Sequence, residues 1–237
     1  MSQQISKERN KISAMFNGIA GSYDFLNHLL SLGIDRYWRK VLVKHILVRN
    51  PTNALDIATG TGDIAIALYK VGIETTGIDI ADQMVEVAMA KCNTLNKSSI
   101  PLPGFLIASA DDIPYPDNSF QLVTIGFGIR NFENRKRAIE EIFRVLTVGG
   151  ELAILEFAEP RNKLWSAIYK FYFHNILPLI GKLISKDMDA YRYLPESVSQ
   201  FPQYKDFCKE LEDLGFANSK FKPLTGGVSI LYTALKT

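Results

Sequence analysis

Cysteine is scarce in this chain of 237 residues: there are two, Cys92 and Cys208. They are far apart and in no metal-ligand spacing, which excludes a disulfide-stapled mini-protein and fits a reducing compartment. The three histidines, His28, His45 and His174, join no cluster of Cys, Asp or Glu with metal spacing, so no metal is expected. Neither charge dominates. With 27 Lys and Arg against 25 Asp and Glu the formal charge is +2, whereas a nucleic-acid binder carries a strong basic excess. No apolar run is long enough to span a bilayer, which needs about 20 residues; the greasiest stretch, Asn175 to Ser185, is broken by Pro178, Gly181 and Lys182. Met1 to Lys11 is polar and charged, so no secretory signal is expected. The chain reads as a cytoplasmic protein whose greasy stretch is able to touch the inner face of a membrane.

Apolar residues make up 47% and charged residues 22%, the balance of a folded globule. From about Asn53 short apolar runs alternate with helix-length amphipathic ones, the pattern of a parallel α/β sheet. Strands are expected at Ala54–Ala58, Ile73–Ile80, Gly104–Ser109, Phe120–Phe127 and Glu151–Phe157, with helices through Leu68, over Met84–Cys92 and over Arg135–Leu146. Gly149-Gly150 is read as the stop of that last helix. A helix near Lys205–Leu214 and strands around Phe216–Lys222 and Val228–Leu235 close the chain. One domain is expected: a helical cap over 1–50, a ligand-binding core over 51–158, a helical insertion or lid over 159–202, and a last helix with two strands over 203–237. The fold class is α/β, a Rossmann-like seven-stranded, mostly parallel sheet with helices on both faces.

Thr59-Gly60-Thr61-Gly62 joins the first strand to a helix, so the chain can turn tightly and a ligand can approach its backbone. Gly60, Gly62 and Ala65 also satisfy a dinucleotide fingerprint, which keeps a nicotinamide oxidoreductase open. Asp56 and Asp63 flank the turn and would repel a diphosphate. They suit a ligand carrying an amino group and a sulfonium, as S-adenosyl-L-methionine does. Asp79, one crossover helix further on, can accept both hydroxyls of an adenosine ribose. Ser109-Ala110 and Gly126, at the next strand ends, face the same crevice. The plain reading of the two loop aspartates is that they only brace the turn.

At these residues the sequence resembles the class I S-adenosylmethionine-dependent methyltransferases, and more closely the menaquinone/ubiquinone biosynthesis C-methyltransferases. The resemblance rests on Tyr23-Asp24-x-x-Asn27-x-x-Leu30-Ser31 with Trp38, and on Arg144-Val145-Leu146, Gly149-Gly150 and Leu155-Glu156-Phe157. It extends through Phe127-Gly128-Ile129-Arg130-Asn131, Tyr191-Arg192-Tyr193-Leu194-x-Glu196-Ser197 and Leu224-Thr225-Gly226-Gly227-Val228. Carried over by position, it implies cofactor contacts at Thr61, Asp79, Ser109 and Ala110; with the reading of the loop, Asp56, Thr59, Gly60, Gly62, Ile80 and Gly126 complete the candidate cofactor set. Asp35 stands where the family usually has histidine, and Thr147 and Ala158 replace a lysine and a serine. Gly126 offers no side chain where some members present a serine.

The resemblance implies methyl transfer from S-adenosyl-L-methionine to a ring carbon of demethylmenaquinol, or also of a benzoquinol precursor of ubiquinone. Such a carbon becomes nucleophilic when a ring hydroxyl loses its proton, which a nearby cation or donor favours. Arg130 with Asn131 is the first candidate for that role; Tyr193 and Arg192 are the second. His174 is read as a packed residue, and Asp35 as a helix N-cap. Leu164, Trp165, Ile168, Phe171 and Tyr172 share one helical face, which either packs on the sheet or, with the Ile176–Ile184 run, lines a tunnel for the prenyl tail and touches the bilayer. In the second case Lys163, Lys170 and Lys182 lie near anionic headgroups. A methyltransferase of another lipophile and a non-catalytic partner in a quinone-biosynthesis complex are the alternatives. A homodimer through the N-terminal helices or the last strands stays open.

Overall fold

The computed structural model describes residues 8–95, 100–172 and 189–237. Its centre is one seven-stranded sheet: β1 (Asn53–Ile57), β2 (Glu74–Asp79), β3 (Gly104–Ile107), β4 (Phe120–Gly126), β5 (Leu146–Phe157), β6 (Phe216–Leu224) and β7 (Ser229–Lys236). The order is β3-β2-β1-β4-β5-β7-β6. β7 runs antiparallel between β5 and β6, and every pairing from β3 across to β5 is parallel. The order reverses direction between β1 and β4, so a crevice opens at their carboxyl ends, where ligands bind in open α/β sheets.

The helices are α1 (Arg9–Ile19), α2 (Tyr23–Leu30), α3 (Ile34–Ile46), α4 (Asp63–Tyr69), α5 (Asp82–Asn93), α6 (Arg135–Val145), α7 (Lys163–Phe171), α8 (Asp189–Ser199) and α9 (Lys205–Asp213). Successive strand residues point to opposite faces, and the core divides accordingly. Leu55, Val123 and Ile154 pack with Ile139 and Ile142 of α6 and Phe207 and Leu211 of α9. Their neighbours Ala54, Leu122 and Leu155 pack with Trp38, Leu42 and Ile46 of α3 and Leu68 of α4. The third N-terminal helix is therefore a layer of the sandwich. α1 and α2 lie at the crevice end, where Phe16 and Tyr23 line it and α1 packs against α5.

Strand and helix positions follow the expected ones to within a few residues, with one exception. Gly149-Gly150 does not stop α6, because Leu146 has already left the helix with extended dihedrals. Leu146 is fully buried and pairs with Phe120, so packing pulls the chain straight from helix into strand. Gly149, with φ +78°, serves an irregular start of β5 instead. Asp35 is also not an N-cap. Gly33 precedes α3, and the Asp35 carboxylate is buried inside the first turn, accepting from Ser31 Oγ (2.6 Å) and pairing with His28 Nδ1 (2.7 Å) and Arg39. Burial alone would push this carboxyl up, but the Ser31 bond and the Arg39 and His28 charges hold it below the usual range.

Candidate active site

The loop after β1 carries three left-handed residues, Ala58 (φ +52°), Gly60 (φ +54°) and Gly62 (φ +80°). At Gly62 a Cβ would stand 3.0 Å from the Phe105 ring and 3.1 Å from Ala88, so only glycine fits. The loop is braced from beneath by Asp56, whose Oδ1 accepts from Thr124 Oγ1 (2.7 Å) and Oδ2 from Thr59 Oγ1 (2.6 Å). Burial pushes the Asp56 carboxyl up to about 6, against the threonine hydroxyls, which pull it down. On the far side Asp63 pairs with Lys91 (2.6 Å) and Arg39 (3.2 Å), and Thr61 donates to Asp24 (2.5 Å), whose other oxygen takes Lys91 (2.8 Å).

Asp56, Thr59, Thr61 and Gly62 thus build and brace the loop, and their side chains do not line the crevice. The expectation that Asp56 and Asp63 present their charge to a ligand is corrected. Both carboxylates are engaged by protein groups, in the case of Asp63 by cations from α3 and α5.

Gly60, Asp79, Ile80, Ser109, Ala110 and Gly126 do line one cleft, about 780 Å³ of space continuous with solvent. Asp79 accepts from the backbone N–H of Gly60 (2.8 Å) and of Ala81 (2.9 Å), one on each oxygen. Burial raises its carboxyl while these donors restrain the rise. Each oxygen keeps a further lone pair, so the pair can still accept two hydroxyls. Ser109 Oγ donates to Asp111 (2.5 Å), which also holds Arg9 through both oxygens (2.8 Å each). Among the described lining residues Arg9 is the one cation, against Asp79, Asp111 and Glu133. The cleft therefore repels a diphosphate and favours a cationic ligand, through carboxylates other than the two expected. At Gly126 a Cβ would fall on Cδ1 of the buried Ile64, so the missing side chain makes room for that packing beneath the cleft.

A second, mainly apolar cleft of about 1590 Å³ adjoins the first, and Phe16, Tyr23 and Phe127 line both. Its aromatic wall stacks Phe127 on Phe157 (centroids 4.4 Å apart) and Trp38 against both (5.7 and 5.9 Å). Trp38 is fixed by its Nε1–H to Thr225 Oγ1 (2.8 Å). Phe127 sits at φ +59°, a strained conformation for a bulky residue. Trp165, Ile168 and Tyr172 of the insertion line this cleft, while Leu164 and Phe171 are exposed.

Arg130 lines the apolar cleft, and the next residue, Asn131, lines the first. The guanidinium is buried: Nη1 donates to Glu156 Oε1 (2.7 Å) and to the Phe127 carbonyl, and Nε to Ser197 Oγ (3.3 Å). Tyr193 Oη donates to Asn131 Oδ1 (2.9 Å), tying α8 to the turn after β4. Burial pushes the Tyr193 hydroxyl up to about 12, and that of Tyr23 likewise, so both stay protonated donors. His28 belongs to the Asp35 network and His45 pairs with Glu151 (3.0 Å). His174, Lys182 and the 176–184 run lie outside the described residues, as do the side chains of Lys170 and Arg192. Among the described residues no His, Cys, Asp or Glu group could hold a metal, and no helix is long and apolar enough to cross a membrane.

Phe16 is not marked by any sequence motif, and Tyr23, Trp38, Phe127 and Glu156 appear in the sequence only as motif letters. A glycine on each side of Phe127 was the one local signal of an unusual backbone there. For Phe16 no local signal exists, because the way α1 folds back over α5 decides its place.

The model of the ubiE/COQ5 methyltransferase family matches residues 3–236. A demethylmenaquinone methyltransferase of Chlorobaculum tepidum is 42% identical over 236 residues, covering 98% of this chain and 94% of its own. A ubiquinone/menaquinone biosynthesis C-methyltransferase UbiE of Geotalea daltonii is also 42% identical, covering 98% and 99%. Among solved structures, a SAM-dependent methyltransferase from Thermotoga maritima superposes with a TM-score of 0.64 at 16% identity, over 94% of this chain and 99% of that one. Magnesium protoporphyrin IX methyltransferase from Synechocystis, with bound S-adenosylhomocysteine, gives 0.59 at 19% identity over 87% and 84%. These two speak for the fold alone.

Proposed function

The chain belongs to the ubiE/COQ5 methyltransferase family, and from that premise we propose that it transfers the methyl group of S-adenosyl-L-methionine to a ring carbon of demethylmenaquinol, giving menaquinol. The observation that carries this reading is the meeting of two unlike clefts at Phe16, Tyr23 and Phe127. One is small and net negative, with the Asp79 carboxylate at its wall. The other is large and apolar, fit for a prenylated ring.

The first cleft fits the cofactor. Asp79 would take the ribose hydroxyls, Ile80, Ser109 and Ala110 would border the adenine, and Gly60 and Gly126 leave backbone exposed to it. Bound there, S-adenosyl-L-methionine supplies an electrophilic methyl on a sulfonium. The chain's own part is to bind, orient and donate. The Trp38–Phe127–Phe157 wall offers a flat apolar face to a quinol ring. Arg130 has no partner for its Nη2 hydrogens among the described residues, so they are available to a ring oxygen. Such a donor stabilises the phenolate and with it the charge on the neighbouring carbon. Asn131, oriented by the Tyr193 hydroxyl, bridges the turn between the two clefts.

The names of the relatives do not favour a different lipophilic substrate or a non-catalytic role. The net negative cleft speaks against a nicotinamide dinucleotide. Leu32, which lines the apolar cleft, and Leu164 and Phe171 of α7, all three exposed, support peripheral contact with the bilayer that holds the prenyl tail. Flotation with anionic liposomes should carry the protein up. The reaction itself is tested by methyl transfer from labelled S-adenosyl-L-methionine to demethylmenaquinone, with and without dithionite. Label on the ring carbon in the reduced sample only is expected; transfer to the oxidised quinone, or none to either by a cofactor-binding sample, contradicts the reading.

A further inference from the structure

Glu156, the other carboxylate of β5 besides Glu151, is fully buried and bonds Arg130, which lines the apolar cleft. Its Oε1 accepts from Arg130 Nη1 (2.7 Å) and from the Phe157 N–H (2.8 Å), and its Oε2 accepts from the Arg130 N–H (3.2 Å). One side chain thus holds both the backbone and the guanidinium of Arg130 and the end of the strand beneath them. Arg130 also lies 5.4 Å from the centre of the Phe157 ring. The other ionisable groups that feel this pair are phenols: Tyr23 on α2, Tyr169 on α7 and Tyr193 on α8 facing Arg130, with Tyr193 and Tyr232 on β7 facing Glu156. Burial holds all four hydroxyls neutral, so among the described residues Glu156 is the carboxylate that balances the guanidinium.

We propose that Glu156 is a positioning residue for the transfer, one that fixes Arg130 as a neutral-pair donor and thereby sets the charge that the bound quinol meets. The proposal rests on the quinol reading above. A buried arginine with no counter-charge is costly to hold in an apolar wall. It would also act on the quinol as a free cation, lowering the pKa of the ring hydroxyl much further than a paired one does. With Glu156 in place the donor is directed and the cleft still admits an uncharged, greasy ring.

The test is the pH profile of single-turnover methyl transfer to demethylmenaquinol in the wild type, Glu156→Gln, Glu156→Asp and Arg130→Ala/Glu156→Gln, each shown folded by its melting curve. Gln keeps the size and one acceptor but removes the charge. The ascending limb of its profile should move acidward by about one pH unit or more, because the unbalanced Arg130 favours the phenolate. The double variant should lose that displacement. Asp keeps the charge but reaches less far, so its plateau rate should drop about tenfold with the limb unmoved.

A merely structural glutamate would alter the melting temperature without moving the limb. A Gln variant with the wild-type limb, or a folded Asp variant with the wild-type plateau, overturns the proposal; the Asp variant decides if Gln fails to fold. Absence of transfer by the wild type would overturn the quinol reading as well, so the two failures are told apart before any variant is assayed.

Discussion

Replacing Asp79 by asparagine should separate what this carboxylate does for the loop from what it does for the ligand. Its two oxygens accept from Gly60 N–H (2.8 Å) and Ala81 N–H (2.9 Å) and stand at the wall of the cofactor cleft. Asparagine has one carbonyl oxygen, so one of those backbone donors would face an NH₂ group. Leaving it unsatisfied costs about 1–3 kcal/mol of stability in the free protein. The ligand loses one charge-assisted acceptor for a ribose hydroxyl, worth about 1.5–3 kcal/mol, or roughly a 10- to 100-fold weaker Kd. Calorimetric titration with S-adenosylhomocysteine, beside a urea unfolding curve, reads both quantities. Alanine, which removes both acceptors, should be weaker still. A folded Asp79→Asn protein that binds within twofold of the wild type would refute the assignment of Asp79 to the ribose.

Asp56→Asn tests the carboxylate beneath the loop. Burial raises the folded carboxyl from 3.8 to about 6, so the folded state holds a proton that the unfolded chain has released, and this group makes the protein less stable as pH rises from about 4 to 6. Between pH 4.5 and 7.5 the wild type should therefore lose about 2 kcal/mol relative to the Asn variant in urea unfolding; parallel pH dependences would contradict the burial argument. Thr61→Val should cost about 1 kcal/mol of stability, for the lost bond to Asp24, and leave cofactor affinity within about threefold, because the hydroxyl does not line the cleft. A tenfold loss of affinity would mean that it does reach the ligand. Gly126→Ala should destabilise by about 1–3 kcal/mol through the clash with Cδ1 of Ile64, and adding Ile64→Val, which lacks that atom, should recover most of it.

The sheet was legible because its information is local. Ala54-Leu55 and Leu122-Val123 alternate between the two faces, and glycines and aspartates mark the strand ends that converge on the crevice. Asp79 could be placed for the same reason, since one crossover fixes its distance from the glycine loop. The identity of the carboxylates that charge the cleft could not be read this way. Asp63 is taken by Lys91 and Arg39, and Thr61 by Asp24, all partners distant in sequence, whereas Asp111 and Glu133 reach the cleft wall through the loops that follow β3 and β4. Arg130 was found by its position at a strand end, yet its pairing with Glu156 depends on the register of β4 against β5. The antiparallel insertion of β7 and the fold-back of α1 over Gly60's neighbourhood are tertiary choices with no local signature.

The most direct measurement is a crystal structure of the ternary complex with S-adenosylhomocysteine and a short-chain demethylmenaquinol, grown under reducing conditions. The ribose should lie on Asp79, the ring against Phe127 and Phe157 in the apolar cleft, one ring oxygen on Arg130, and the reactive carbon should face the sulfur past Phe16 and Tyr23. A ring bound away from the aromatic wall, or on the far side of Tyr23 from the sulfur, would contradict it.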